Sequence, residues 1–356
     1  MKVGYFGDGV WSHRALDALL ASGRVEIKFI VARHRNPDWL LQERARGLGV
    51  PFFTSPNVNS PEFLAQINPF SCDLHISMSF DQILRRLILE SAPLGFINCH
   101  AGALPFYRGR NVLNWALING AEEMGVTVHH VDEGIDTGDI ILQRKVKIGP
   151  RDTYADLLAT AIDLCATTLR DAVFAIADGT ATRTRQDSIH PVGFYCGMRK
   201  PGDEWINWEW SSKRVYDFIR AITLPGPGAR TLVANQEWAV LQARMVPHAP
   251  EYICTPGEVV GRNEHGVLVK TADRVILVSQ VALVRPHQMP EEPIIPTWRV
   301  GTRLGINLCE QILQLQRMLD AIIENDRKRT AADVSGQLPA GVPGGIMKIG
   351  GQRKQP

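Results

Sequence analysis

Residues 95–111 (GFINCHAGALPFYRGRN) hold the side chains best suited to do chemistry. An apolar strand ends in Asn98 and His100, which alternate with Ile97 and Cys99 and therefore share one face. The chain then breaks through Gly102 and Pro105. An Asn amide can donate to a developing oxyanion, and a neutral imidazole can accept a proton from a nucleophile. A histidine in this position also suits a purely structural, hydrogen-bonded role. Residues 131–140 (VDEGIDTGDI) then place two glycines and three aspartates in a tight loop after a strand. The Asp spacing departs from a calcium loop and lacks its closing Glu. Two readings stay open: a solvated turn, or a carboxylate that faces His100, raises its basicity and fixes its tautomer.

Other signals are weaker. GDGVW at residues 7–11 offers G-x-G between a strand and a helix, but Ser12 stands where the dinucleotide fingerprint wants its third glycine. Arg33 and Arg35, not an acid, close the second strand. A tight strand-to-helix turn accounts for this motif. Three tryptophans crowd residues 205–211 (WINWEWS) without interleaved basic residues, which suits a packed apolar face better than base stacking.

The elements that must position these groups alternate. Residues 2–6, 25–32, 74–77 and 95–99 read as strands, with helices over 12–22, 37–48 and 82–91 between them. Such alternation implies an α/β, Rossmann-like doubly wound sheet with helices on both faces, whose carboxyl edge carries the ligand crevice. Residues 125–131 and 140–148 alternate as strands, and 153–178 as a long helix. Short β-like runs follow at 237–245, 257–260, 266–271 and 274–278, with a helix at 211–222, which predicts a smaller β-rich, OB-like domain. Apolar residues at helical spacing over 303–328 predict a terminal helix: a dimer contact, a partner helix or a cap. The expected division is 1–185, 200–305, a helix at 306–329 and a Gly/Pro-rich flexible tail at 330–356.

With 39 Lys+Arg against 37 Asp+Glu in 356 residues, the formal net charge is +2. A protein organised around a nucleic-acid backbone would carry a larger basic excess. Hydrophobic residues at 45% and charged residues at 21% fit an ordinary globular chain. No apolar run reaches the ~18 residues of a membrane span, and the N-terminus lacks a signal-peptide core. Six scattered cysteines suggest reduced thiols, a cytoplasmic location and no metal site.

INCHAGALPFYRGRN followed by VDEGIDTGDI resembles the folate-dependent formyltransferases, the family that includes the methionyl-tRNA, glycinamide ribonucleotide and nucleotide-sugar enzymes. The resemblance covers residues 1 to about 305. It implies Asn98, His100 and Asp136 as the catalytic set, Asp136 lying at the centre of Gly134-Ile135-Asp136-Thr137-Gly138. It further implies 10-formyltetrahydrofolate as co-substrate. The pterin would lie along Met78, Ser79, Phe80 and Ile83, with Leu104 and the loop of Asp132, Gly134 and Ile135 closing the pocket. Arg108, Arg110 and Asn111 would face a diphosphate. Residues 108–120 and 219–229 look most like the sugar enzymes, and no Arg/Lys- and Gly-rich insertion of the tRNA enzymes separates Arg33 from the second helix. The expected function is N-formylation of a nucleotide-linked amino sugar for surface polysaccharide such as lipopolysaccharide O-antigen. No nucleic-acid or membrane partner is expected, and a homodimer is allowed. The alternative is a methionyl-tRNA formyltransferase.

Overall fold

The computed structural model describes residues 1–285, 291–305 and 308–335. In chain order the elements are β1 (Lys2–Gly7), α1 (Gly9–Leu20), β2 (Glu26–Ala32), α2 (Trp39–Leu48), β3 (Phe52–Thr54), α3 (Pro61–Ile67), β4 (Leu74–Met78) and α4 (Arg86–Leu89). There follow β5 (Phe96–His100), β6 (Arg108–Gly109), α5 (Val112–Ile118), β7 (Glu123–His130), β8 (Ile140–Lys147), α6 (Tyr154–Ala177), α7 (Gln186–Ile189) and β9 (Tyr195–Cys196). The remainder is α8 (Ser212–Ile222), β10 (Ala229–Val233), β11 (Gln236–Met245), β12 (Val259–Asn263), β13 (Gly266–Lys270), β14 (Val275–Leu283) and α9 (Leu308–Ser335).

Seven strands form the main sheet in the order β3-β2-β1-β4-β5-β7-β8. The first five are parallel, as strand–helix alternation predicts, whereas β7 runs antiparallel to β5 and β8 antiparallel to β7. One face buries Val3, Tyr5, Ile76, Ile97 and Val128 under Leu16 and Leu19 of α1 and Cys165 and Leu169 of α6. The other is aromatic, with Phe6, Phe29, Phe63 and Phe96 at 2% exposure or less. Each such phenylalanine contributes about 1.5–3 kcal/mol by leaving water.

Helix boundaries follow local chemistry. Asp38 caps α2 by accepting from Leu40 N–H at 3.0 Å and Leu41 N–H at 3.2 Å, and Gly49 ends it at φ 67°. Thr153 and Asp156 form a reciprocal capping box that starts α6. The predicted helix over 82–91 shrinks to the four residues of α4. Upstream of it, the Gln82 side chain serves Val58 N–H and the Ser55 carbonyl, while Asn59 accepts from Arg85 N–H and donates to the Ile83 carbonyl, so tertiary bonds take backbone groups a longer helix would use.

The second sheet has five antiparallel strands in the order β10-β11-β14-β13-β12. Residues 1–305 form one compact unit holding both sheets. Helix α8 joins them: Val215, Phe218 and Ile222 pack in a core shared with Leu113, Leu117 and Leu157 and with Val240 and Val278. Arg220 reinforces this through the carbonyls of Gly149 (3.2 Å) and Asp152 (2.7 Å). The tryptophan cluster is structural. Trp208 is buried with its indole N–H on Thr231, and Trp210 stacks edge-on against Phe218.

A second unit begins after residue 305 and contains α9. The helix continues past the expected end at 329, because Ala331 and Ala332 are good helix formers and the first glycine comes only at Gly336. The rest of the expected tail, 336–356, lies outside the described residues. No helix among the described residues is long and apolar enough to cross a membrane.

Candidate active site

β4 and β5 are parallel neighbours with Ser77 opposite Asn98, so Met78 and the ends of both strands lie at one carboxyl edge. Asn98 is half-buried and His100 is 9% exposed. Asp136 arrives from the loop between β7 and β8, where it holds a left-handed backbone at φ 54°. Its Oδ2 lies 3.6 Å from His100 Nδ1 and accepts the Gly109 N–H at 2.8 Å. The three predicted groups therefore converge, but not as a simple chain.

The missing link is His129. The β5–β7 register sets it directly opposite Asn98. Its Nε2 lies 3.3 Å from the Asn98 amide nitrogen and 3.5 Å from Asp136 Oδ1, while Nδ1–H donates to the His130 carbonyl at 2.8 Å. The alternating GVTVHHV run contained that signal, but only the antiparallel register assigns its partner.

The tautomer of His100 follows from its partners. Nε2 is 2.7 Å from the Tyr107 carbonyl, which only accepts, so Nε2 carries the proton. In the neutral ring Nδ1 is then the free acceptor, facing the Asp136 carboxylate. Burial pushes the His100 pKa below the ordinary imidazole value of 6.5, and this outweighs the raising effects of Asp136 and the Tyr107 carbonyl. Burial acts to raise Asp136, but the neighbouring His129, the facing His100 and the Gly109 N–H bring it to about 2. At neutral pH the site holds a carboxylate beside an uncharged base.

A Cβ on Gly102 would lie 2.6 Å from both His100 Nε2 and the Tyr107 carbonyl. Gly102→Ala is expected to part these two atoms and lower turnover about 10-fold or more, since small misplacements are costly in an oriented site. Kinetics beside a thermal melt would check this; unchanged turnover would mean that the His100–Tyr107 bond is dispensable.

The expected folate contacts divide. Met78 is buried at the strand end, Ser79 turns outward at φ 60°, and Ile83 and Ile135 are 55% and 51% exposed. Phe80 packs edge-on against Phe6 at 5.6 Å, so it is partly core. Leu104 is buried, with its carbonyl on Gln143 and its N–H on Thr127. Asp132 is occupied within its own turn by Gly134 N–H and Thr137.

Arg108 departs from the expectation of a diphosphate ligand. Its Nε and Nη2 are spent on Gln186 Oε1 at 3.0 and 2.6 Å, and its guanidinium stacks over Tyr195 at 5.4 Å. Arg110 is exposed, 3.9 Å from the Met198 sulfur, and Asn111 accepts from Arg199 N–H at 2.9 Å. The GDGVW turn does not offer its helix N-terminus to an anion: Asp38 takes Gly9 N–H at 2.9 Å, and Asp8 pairs with Arg33. Among the described residues, no group of three or more His, Cys, Asp or Glu could hold a metal ion.

Residues 1–173 match the formyl transferase family, and residues 199–292 match the formyl transferase C-terminal domain. The methionyl-tRNA formyltransferase of Geobacter metallireducens is 30% identical over 259 residues, covering 72% of this chain and 81% of that protein. That of Desulforamulus reducens is 29% identical over 297 residues, covering 81% and 92%. Among solved structures, the Helicobacter canadensis N-formyltransferase in complex with folinic acid and dTDP-3-aminofucose superposes with a TM-score of 0.58 at 20% identity, over 78% of this chain and 99% of that one. WlaRD, a sugar 3N-formyltransferase solved with dTDP and 5-N-formyl-THF, gives 0.57 at 19%, over 80% and 98%. The fold is that of these enzymes. The chain belongs to the formyltransferase family and is a folate-dependent N-formyltransferase.

Proposed function

We propose that the protein transfers a formyl group from 10-formyltetrahydrofolate to the amino group of a nucleotide-linked amino-deoxy sugar, for surface polysaccharide such as lipopolysaccharide O-antigen. The observation that carries the reaction is the convergence of Asn98, His100 and Asp136 at one strand edge. The donor fits the adjoining surface, where exposed Ile83 and Ile135 and half-buried Phe80 present apolar area for a pterin. When bound, it supplies the activated formyl carbon. His100 Nδ1 takes the proton that the attacking amine must lose, and Asp136 stabilises the resulting imidazolium. The ring returns that proton to the donor's nitrogen as its bond to the formyl carbon breaks, leaving tetrahydrofolate and a neutral His100. The Asn98 amide, with its second hydrogen free of His129, donates to the carbonyl oxygen as that oxygen gains charge.

Two features support a sugar acceptor. Only six residues, 33–38, link β2 to α2, so no basic insertion stands there to grip a nucleic acid. Beside the site, β9 pairs with β6 and carries Tyr195, while Met198, just beyond β9, lies next to Arg110; each is 56% exposed. An aromatic face with a neighbouring cation suits a nucleoside diphosphate.

Methionyl-tRNA is the second reading, favoured by the names of the sequence relatives. Incubation with the formyl donor and a panel of nucleotide-linked amino sugars, with charged initiator tRNA in parallel, separates the two by mass spectrometry. One added formyl group on a sugar is the expected result. Formylation of the tRNA alone would overturn it.

A further inference from the structure

We propose that Gln186, in the connection between the two sheets, is a positioning residue for formyl transfer that works by holding Asp136 against His100. This rests on the roles proposed above for those two residues. The Gln186 amide nitrogen donates to the carbonyls of Asp136 and Gly138, both at 2.8 Å. Its oxygen accepts both prongs of Arg108. The side chain is 4% exposed, and its full hydrogen-bonding capacity is used.

These bonds close a ring of contacts around the site. Arg108 sits between Tyr107, whose carbonyl fixes His100 Nε2, and Gly109, whose N–H fixes Asp136 Oδ2. Gln186 therefore joins the segment that orients the imidazole to the loop that delivers the carboxylate, at a residue in left-handed conformation. Only an amide serves here. A carboxylate would turn an acceptor toward two carbonyls, and an apolar side chain would leave those carbonyls and the guanidinium unsatisfied. Gln186 also falls outside both family-matched segments, 1–173 and 199–292, so neither domain supplies this support on its own.

The charged and titratable groups facing His100 are Asp136 from the β7–β8 loop and His129 from β7. Release of Asp136 removes the carboxylate that favours imidazolium, so the acid limb of the rate profile should move to lower pH.

The test uses Gln186→Leu in the full chain, with the acceptor found in the panel. Turnover is expected to fall about 10- to 100-fold with little change in acceptor KM, and the acid limb to shift downward. The Asp136→Asn/Gln186→Leu double variant should be no slower than Asp136→Asn alone, because both act through one group. An NMR titration of the His100 ring reads the same downward shift without any substrate. Wild-type turnover and an unmoved pH profile, or multiplied losses in the double variant, would overturn the inference. If Asp136→Asn itself keeps full turnover, the proposed catalytic roles fail first. If circular dichroism shows Gln186→Leu unfolded, Gln186→Met, which keeps the unbranched length of the side chain and loses the same bonds to the Asp136 and Gly138 carbonyls, is judged by the same criteria.

Discussion

Replacing His100 by Ala is expected to lower turnover by about 10²- to 10⁴-fold, the usual worth of a placed general base. Alanine keeps the strand but removes the acceptor that faces Asp136. The native fold should survive, since the side chain makes one hydrogen bond to the Tyr107 carbonyl, worth about 1 kcal/mol net. On the proposed role, the base works in its neutral form. Because burial depresses its pKa, the ring stays neutral further into acid than free imidazole, so kcat/KM should fall only below 6.5. That limb should vanish in His100→Ala. Steady-state kinetics across pH, with a thermal melt of each protein, measure both effects. Residual activity within about tenfold of wild type, or an acid limb that persists unchanged in the variant, would remove His100 from the chemistry.

The second large effect is expected at Asn98. Loss of one oxyanion donor typically costs about 10²- to 10³-fold in turnover, and Asn98→Ala should fall in that range with little change in either KM. Asn98→Asp should be at least as slow, because a carboxylate would repel the developing charge. It should also leave a signature that alanine does not. A second negative group beside Asp136 favours imidazolium, so the acid limb should move to higher pH. If Asn98→Ala mainly raises KM while turnover holds, the amide binds a ground state and the proposed role is wrong.

Much of this architecture is legible in the residue pattern. The alternation of Asn98 and His100 with Ile97 and Cys99 gives their common strand, and the glycines of the Asp136 loop give its tightness. What is not legible is long-range. His129 becomes part of the site only through antiparallel pairing with Asn98, and period-2 alternation carries no direction. Gln186 carries no motif, and its role arises from contacts 78 residues away at Arg108 and 50 residues away at Asp136. Arg108 looks like a phosphate ligand by type and place, yet Gln186 occupies it. The 82–91 segment has helical apolar spacing, but Gln82 and Arg85 are drawn into bonds with residues 55–59.

The placement of Gln186 bears on how such proteins can be recombined. A chimera that joins residues 1–173 of this chain to the distal half of a relative inherits all three reacting groups but takes its residue at this position from the other parent. A crossover beyond Ile189, at the end of α7, keeps Arg108 and Gln186 from the same ancestor. On the role proposed for Gln186, a junction on the far side of that short helix should keep turnover in such a chimera better than one at residue 173, where the first family match ends.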